Sequence, residues 1–349
     1  MFLKLRSLIF KIDPEIAHSL AIKSLKFNFT STIFDENKNN PMFQTTLFGK
    51  QIDNPIGMAA GFDKNAEVYN PLFKLGFGFV EVGTVTPLKQ YGNSKPRVFR
   101  LEEDQALINR LGFNSFGAED INFRIRSNTS TGLLGINIGP NKDTKDRLND
   151  YLIGFRTFHD ISDYITINIS SPNTENLRDF HDQIKLEELI SSIEQEKKKL
   201  KSKTPIVVKI SPDISKEQAT QISQILLKHE IEGIIVSNTT EGNREKLQST
   251  SKHQKGGLSG KPLETISNQL INIFYNLLKG KIEIIGVGGV DSGKSAYDKF
   301  LAGANFIQLY TGMVYQGPNI VGKIKKELKQ ILINEGVSNF KDIVGKKSN

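Results

Sequence analysis

The chain has 349 residues, 38% of them hydrophobic, enough to bury one large core or two ordinary ones. It contains no cysteine, which excludes disulfides, thiolate zinc sites, cysteine-ligated iron–sulfur clusters and cysteine nucleophiles. Its formal charge of +8 is compatible with anionic small ligands, an anionic lipid surface or nucleic acid, but no helix-turn-helix, zinc or RNA-binding signature accompanies it.

Residues 1–40 stand apart. Phe2, Leu5, Leu8, Ile9 and Ile12 fall on one helical face, with Lys4, Arg6 and Lys11 off it. Those three cations also break the apolar run, so it does not read as a signal peptide. Asp13-Pro14 opens a second helix, because proline suits the first helical position. Ile16, Leu20 and Phe27 supply its apolar stripe, and DENKNNP at 35–41 reads as a polar linker. Two short amphipathic helices on a basic segment fit a membrane-surface or partner-binding module; the alternative is a helical cap on the main domain. No apolar run reaches the ~18 residues of a membrane span.

From residue 55 the pattern is regular. Apolar runs fall at 55–62, 79–85, 133–139, 164–170, 205–211, 233–239, 282–289 and 306–312. Helical periodicity lies between them, as at 186–200, 216–228 and 262–278. Near-continuous apolar strands are what a parallel sheet buried on both faces requires. Eight strand–helix units predict a (β/α)8 TIM barrel with a small N-terminal two-helix extension; a doubly wound sheet is the alternative. The expected division is 1–40 for extension and linker, 41–335 for the barrel and 336–349 for a polar C-terminal tail. The connections 86–114 and 240–261 are too long for turns and read as binding loops or lids.

The strand ends carry the chemistry. They include Lys64, Thr84, Asn137, Asn168, Ser171, Lys209, Asn238, Gly288-Gly289 and Tyr310-Thr311. In a barrel these ends meet at one mouth, which would then be rich in amides and hydroxyls and carry two lysines. Glycines at the seventh and eighth ends, with Gly260, would let a phosphate approach the backbone; the plain alternative is that they only make turns. Residues 288–295 (GGVDSGKS) match the P-loop pattern literally. No companion strand ends in a metal-binding aspartate, and the match occupies the seventh slot of the eightfold pattern. His18, His159, His181, His229 and His253 show no metal-ligand spacing, so no metal site is expected. There is no GxSxG elbow, and Ser171 has no histidine neighbour in sequence.

Read with their flanks, the strand ends are NPIGMAAGFDKN (54–65), VEVGTVTP (80–87), GNSKPRVFRL (92–101), INRLGFNS (108–115) and GINIGPNKD (135–143). They continue as INISSPNTENLR (167–178), VVKISPD (207–213), SNTTEG (237–242), GGLSGKPL (256–263), IIGVGGVDS (284–292) and QLYTGMVYQGP (308–318). This series resembles the class 2, quinone-dependent dihydroorotate dehydrogenases of bacterial type, from about residue 5 to 330. Serine in the SSPNT motif, where class 1 members carry cysteine, and the DPExAH stretch at 13–18 separate class 2 from its relatives.

The resemblance implies an FMN enzyme that oxidises (S)-dihydroorotate to orotate in de novo pyrimidine (UMP) synthesis and passes electrons to a membrane quinone. It implies Ser171 as the base at C5, with Thr174 as its relay to solvent, and hydride transfer from C6 to FMN N5. FMN contacts carry over to Ala60, Gly61, Phe62, Asp63, Lys64, Thr84 and Asn137. They continue with Asn168, Lys209, Ser237, Gly260, Gly289, Tyr310 and Thr311. Substrate contacts carry over to Lys64, Asn109, Arg110, Leu111, Gly112, Phe113, Asn168, Asn173, Asn238 and Thr239. His18 and Arg100 become quinone-site candidates. The resemblance further implies a peripheral protein on the cytoplasmic side of a bacterial inner membrane, monomeric or weakly oligomeric, with no iron–sulfur partner subunit. Ser237 and Thr311 exchange one hydroxyl residue for another relative to the family, and Pro140 stands where lysine is frequent. Rival readings are a P-loop nucleotidase, a polyanion-binding barrel and a flavin dehydrogenase of a related dihydropyrimidine.

Overall fold

The computed structural model describes residues 2–27 and 40–348. The expected linker at 35–41 lies almost wholly outside them. Eight strands form the barrel: β1 (Ile56–Met58), β2 (Phe79–Val85), β3 (Leu133–Ile138), β4 (Tyr164–Asn168), β5 (Ile206–Lys209), β6 (Gly233–Val236), β7 (Glu283–Val287) and β8 (Phe306–Leu309). Each pairs in parallel with its chain neighbours, and β8 returns to β1, closing the sheet. The eight expected strands and the barrel are all present. Helices run between the strands and cover the outside, where Leu186, Leu189, Ile190 and Ile193 are typical of the face they bury.

The two ends of the barrel differ. A hairpin of Thr45–Leu47 and Lys50–Ile52 plugs the N-terminal end. Its Leu47 and Ile52 pack on Phe79, Tyr164, Val207, Ile235 and Phe306. Gly135 is required there, since a β-carbon would collide with the Tyr164 ring. Above this layer the interior turns polar. The Glu81 carboxylate has no exposure and accepts from Asn137 Nδ2 (2.8 Å), Tyr164 OH (2.9 Å), Gln308 Nε2 (3.0 Å) and Thr166 Oγ1 (3.1 Å). With that end plugged, the barrel opens into a cleft at its C-terminal mouth.

The two long connections are not loose loops. They supply Val98–Leu101, Ala106–Asn109 and Gly257–Gly260, which form one antiparallel sheet with Ala106–Asn109 in the centre. This sheet walls one side of the mouth.

Helix α1 (Phe2–Ile9) and helix α2 (Pro14–Lys26) form the extension. Asp13 caps α2, accepting from the backbone of Glu15 (2.9 Å) and Ile16 (3.1 Å), as the Asp-Pro pair predicts. The second helix docks on the barrel by burying Ile22 and Leu25 in the main core. Arg100 donates to the Phe10 and Ile12 carbonyls, and Phe10 meets the Tyr315 ring edge-on at 5.3 Å. Leu5, Leu8, Ile12, Ile16 and Leu20 stay exposed. No helix among the described residues is long and apolar enough to cross a membrane. Residues 336–348, expected as a polar tail, insert Phe340 and Ile343 into the core, with Phe340 5.1 Å from the Phe300 ring.

Candidate active site

The strand ends converge on one cleft at the C-terminal mouth. Its walls include Ala60, Gly61, Lys64, Thr84, Asn109, Leu111, Gly112, Phe113, Asn168, Ser171 and Asn173. Lys209, Ser237, Asn238, Thr239, Gly260, Gly289, Tyr310 and Thr311 complete the expected set. Four expected cofactor or substrate residues lie just outside. Phe62 is buried against the Tyr310 ring at 5.7 Å. Asp63 accepts the backbone N–H groups of Glu67 and Val68 at 2.7 Å and shapes the turn after β1. Asn137 stands behind Thr84, whose hydroxyl donates to it at 2.6 Å. Arg110 turns away, donating to the Pro96 carbonyl with its guanidinium over the Phe99 ring. Pro140, one residue beyond Gly139, is buried.

Register explains the grouping. Asn168 at the end of β4 pairs directly with Lys209 at the end of β5. Asn168 Nδ2 donates to Thr84 Oγ1 (2.9 Å) and Asn137 Oδ1 (3.1 Å), and Asn137 passes the network down to Glu81. Asn168 Oδ1 accepts from Ser170 Oγ at 2.8 Å, and Ser170 Oγ accepts from Asn238 Nδ2 at 2.9 Å. The amides are thus locked before any ligand arrives, which is what electrostatic preorganisation requires. Ser171 is buried, and its Oγ accepts the Asn173 backbone N–H at 3.2 Å. Asn173 Nδ2 in turn reaches Asn109 Oδ1 at 3.3 Å.

Two lysines face this network. Lys209 is 5% exposed, and its ammonium makes no hydrogen bond among the described residues. Burial pushes its pKa below the ordinary lysine value, and Glu81 pulls it back up. Lys64 donates to the Gly61 carbonyl at 2.6 Å, and burial lowers it to about 8. Next to it, burial and the Lys64 charge push His18 down to about 3. His18 lies edge-on to Phe62 at 5.2 Å and near Tyr310 at 6.4 Å. His18 and Arg100 therefore sit on the seam between extension and barrel, not in the cleft.

The opposite end of the cleft is built from backbone. Gly260, Gly288 and Gly289 have φ of 95°, 116° and 78°. A β-carbon at Gly288 would come within 2.9 Å of Leu263, and one at Gly289 would collide with Glu264. Ser259 and Thr311 hydroxyls meet at 2.8 Å beside them.

These features test the fit of a flavin mononucleotide. A buried cation without a partner needs an anion or hydrogen-bond acceptor. The Asn114 Oδ1 atom, also buried in the cleft wall, lacks a donor. The glycine turn offers backbone N–H groups where a phosphate would bind. Residues and group fit.

The P-loop match resolves differently. Ser292 caps helix Gly293–Leu301 in a reciprocal box with Ser295, and Lys294 is exposed and paired with Asp298. No cluster of metal-ligating side chains occurs among the described residues. Sequence reasoning missed Asn114, Ser259 and Arg178. Arg178 anchors the segment after Ser171 by donating to the Ser170 carbonyl (3.2 Å), the Thr239 carbonyl (3.0 Å) and Asp213 (2.9 Å). A lone arginine in a loop carries no signal until its acceptors are known.

A closed eight-stranded parallel barrel with its polar cleft at the C-terminal mouth defines the (β/α)8 enzyme class. Within that class, the family model described as dihydroorotate dehydrogenase matches residues 42–332. The chain belongs to this family of oxidoreductases. It is 45% identical to the dihydroorotate dehydrogenase (quinone) of Bartonella tribocorum over 343 residues, covering 97% of this chain and 94% of that protein. It is 43% identical to the mitochondrial dihydroorotate dehydrogenase (quinone) of Mus musculus, covering 96% and 87%. Among solved structures, the Eimeria tenella enzyme in complex with ferulenol superposes with a TM-score of 0.91 at 37% identity, covering 96% of this chain and 95% of that one.

Proposed function

We propose that this protein oxidises (S)-dihydroorotate to orotate with FMN as bound cofactor and a membrane quinone as final acceptor. The observation that carries this reading is the pairing of a buried, unpartnered Lys209 with the locked amide network around Ser171, in a chain of this family. When bound, FMN supplies the acceptor for the hydride that leaves C6 of the substrate. Ser171 takes the proton from C5. A serine hydroxyl is a weak base on its own, because its pKa lies far above the operating pH. Thr174, buried three residues on, relays the proton toward solvent. Lys64 binds the substrate carboxylate as a compact cation. Asn109, Asn173 and Asn238 hold the ring and its carbonyls with preset donors. Lys209 would hold the flavin ring through its ammonium, whose positive charge would favour electron uptake there. Gly260, Gly288 and Gly289 receive the phosphate.

The extension brings quinone to the cleft. Exposed Leu5, Leu8, Ile12, Ile16 and Leu20 dip into a bilayer surface, and the helix lysines meet anionic lipid. His18, neutral and lodged against Phe62 and Tyr310, and Arg100 line the entry between extension and barrel. The protein is then peripheral, on the cytoplasmic side of the membrane.

The test is the visible spectrum of the purified protein and its response to anaerobic dihydroorotate. The expected result is a yellow protein that bleaches. A yellow protein that stays oxidised rejects the substrate, and a colourless one that FMN cannot restore rejects the cofactor.

A further inference from the structure

Behind the glycine turn, outside the cleft, lies a buried ammonium that the proposed reaction does not use. Lys299, on helix Gly293–Leu301, has no exposed surface. Its Nζ donates to Ser267 Oγ (3.0 Å) and Asn268 Oδ1 (2.6 Å), both on helix Glu264–Leu278. Ser267 Oγ then donates to the Val287 carbonyl at 2.6 Å. Val287 is the last residue of β7 and directly precedes Gly288-Gly289. The same helix supports that turn. Leu263 and the Ser267 β-carbon would lie 2.9 and 3.3 Å from a β-carbon at Gly288, and Glu264 fills the space a side chain at Gly289 would need. The lysine stem lies under β7, 2.8 Å from where a Gly286 β-carbon would stand.

Burying an ammonium on two neutral acceptors is costly, and an apolar side chain would fill the space more cheaply. What the charge provides here is a directed link. It ties one helix to the next and, through one hydroxyl, to the strand end that carries the glycines. We propose that Lys299 is a positioning residue for the phosphate end of the cofactor. Acting through Ser267 and Asn268, it fixes the Gly288-Gly289 backbone so that its N–H groups hold a phosphate monoester rather than merely closing a turn. This inference rests on the FMN reading above.

The experiment is competition between FMN and riboflavin for the full-length protein, with bound flavins quantified after equilibration. Riboflavin shares the ring and ribityl chain and lacks only the phosphate. The unaltered protein prefers FMN. Lys299→Met, and independently Ser267→Ala, are expected to narrow that preference about tenfold, the size of one charge-assisted hydrogen bond. The phosphorus NMR resonance of bound FMN moves in the same variants. Ser267→Ala keeps the test available if the lysine variant does not fold. Equal loss of both flavins, or an unchanged preference, in the folded variants overturns the proposal, because a merely structural lysine would not distinguish the two ligands. An unaltered protein that holds neither flavin overturns the FMN reading itself.

Discussion

Arg97 grips Glu15 through contacts of 2.9 to 3.1 Å, and the same guanidinium donates to the Tyr91 and Asn93 carbonyls at 2.6 and 2.8 Å. The arginine side chain is only 8% exposed, so this pair joins α2 to the barrel under low dielectric. Glu15→Ala leaves that charge uncompensated and should cost about 3 kcal/mol of docking. The expected outcome is tryptic cleavage at Lys23 and loss of quinone reduction, with flavin content intact. Lys26→Ala breaks an exposed pair with Glu67 and should cost under about 1 kcal/mol. Equal protease sensitivity of the two variants would contradict this ranking.

Ser171→Ala should abolish turnover and leave FMN bound. The Ser171 hydroxyl accepts one backbone N–H and supports no other side chain, so its loss removes chemistry and spares packing. Stopped-flow flavin reduction reads the step directly, and at least about a hundredfold fall is expected from loss of a general base. Loss of flavin in this variant would remove Ser171 from the assigned role.

The barrel was legible because both faces of each strand are buried. Runs such as 233–236 need no polar alternation, and eight of them imply closure. The three-stranded sheet that walls the mouth was not legible. Its strands are four residues long, and Asn109 pairs with Gly257, far along the chain. Nothing local in VFRL, ALIN or GLSG announces that partner. Phe340 and Ile343 were hidden likewise among Lys341, Lys346 and Lys347, and Phe300, which Phe340 packs against, lies on another helix. In the cleft, residues that strands carry were readable from spacing. The part played by Arg178 is decided by four acceptors, on Ser170, Asp213, Thr239 and Glu241, and no spacing encodes that.

Lys209→Ala should weaken FMN retention without unfolding the barrel. Removing an unpaired buried ammonium relieves desolvation in the empty protein, so thermal stability without flavin should hold or rise. Flavin release on dilution, followed by fluorescence, should speed up at least about tenfold for the loss of a charged hydrogen-bond partner. A variant that stays yellow through gel filtration and releases flavin at the original rate would remove Lys209 from the flavin edge.

His181 sets an acid limit on the segment that carries Ser171. It is 2% exposed; its Nδ1 lies 2.9 Å from the Arg178 carbonyl and its Nε2 accepts the Ser211 N–H at 3.0 Å. Burial, against an upward pull from the Arg178 carbonyl, pushes its pKa down to about 4. The unfolded chain therefore binds this proton at about 6.5 and the folded one does not. Its contribution is complete above pH 6.5 and is lost as pH falls toward 4, amounting to about 3 kcal/mol over that window. His18 carries the same sign and leaves a remaining slope. His181→Gln should lower stability at pH 7, where it disturbs the paired ring, and flatten the decline between pH 6.5 and 4. Urea unfolding at four pH values within that window measures the slope, and parallel curves for the two proteins would show that His181 does not titrate as placed.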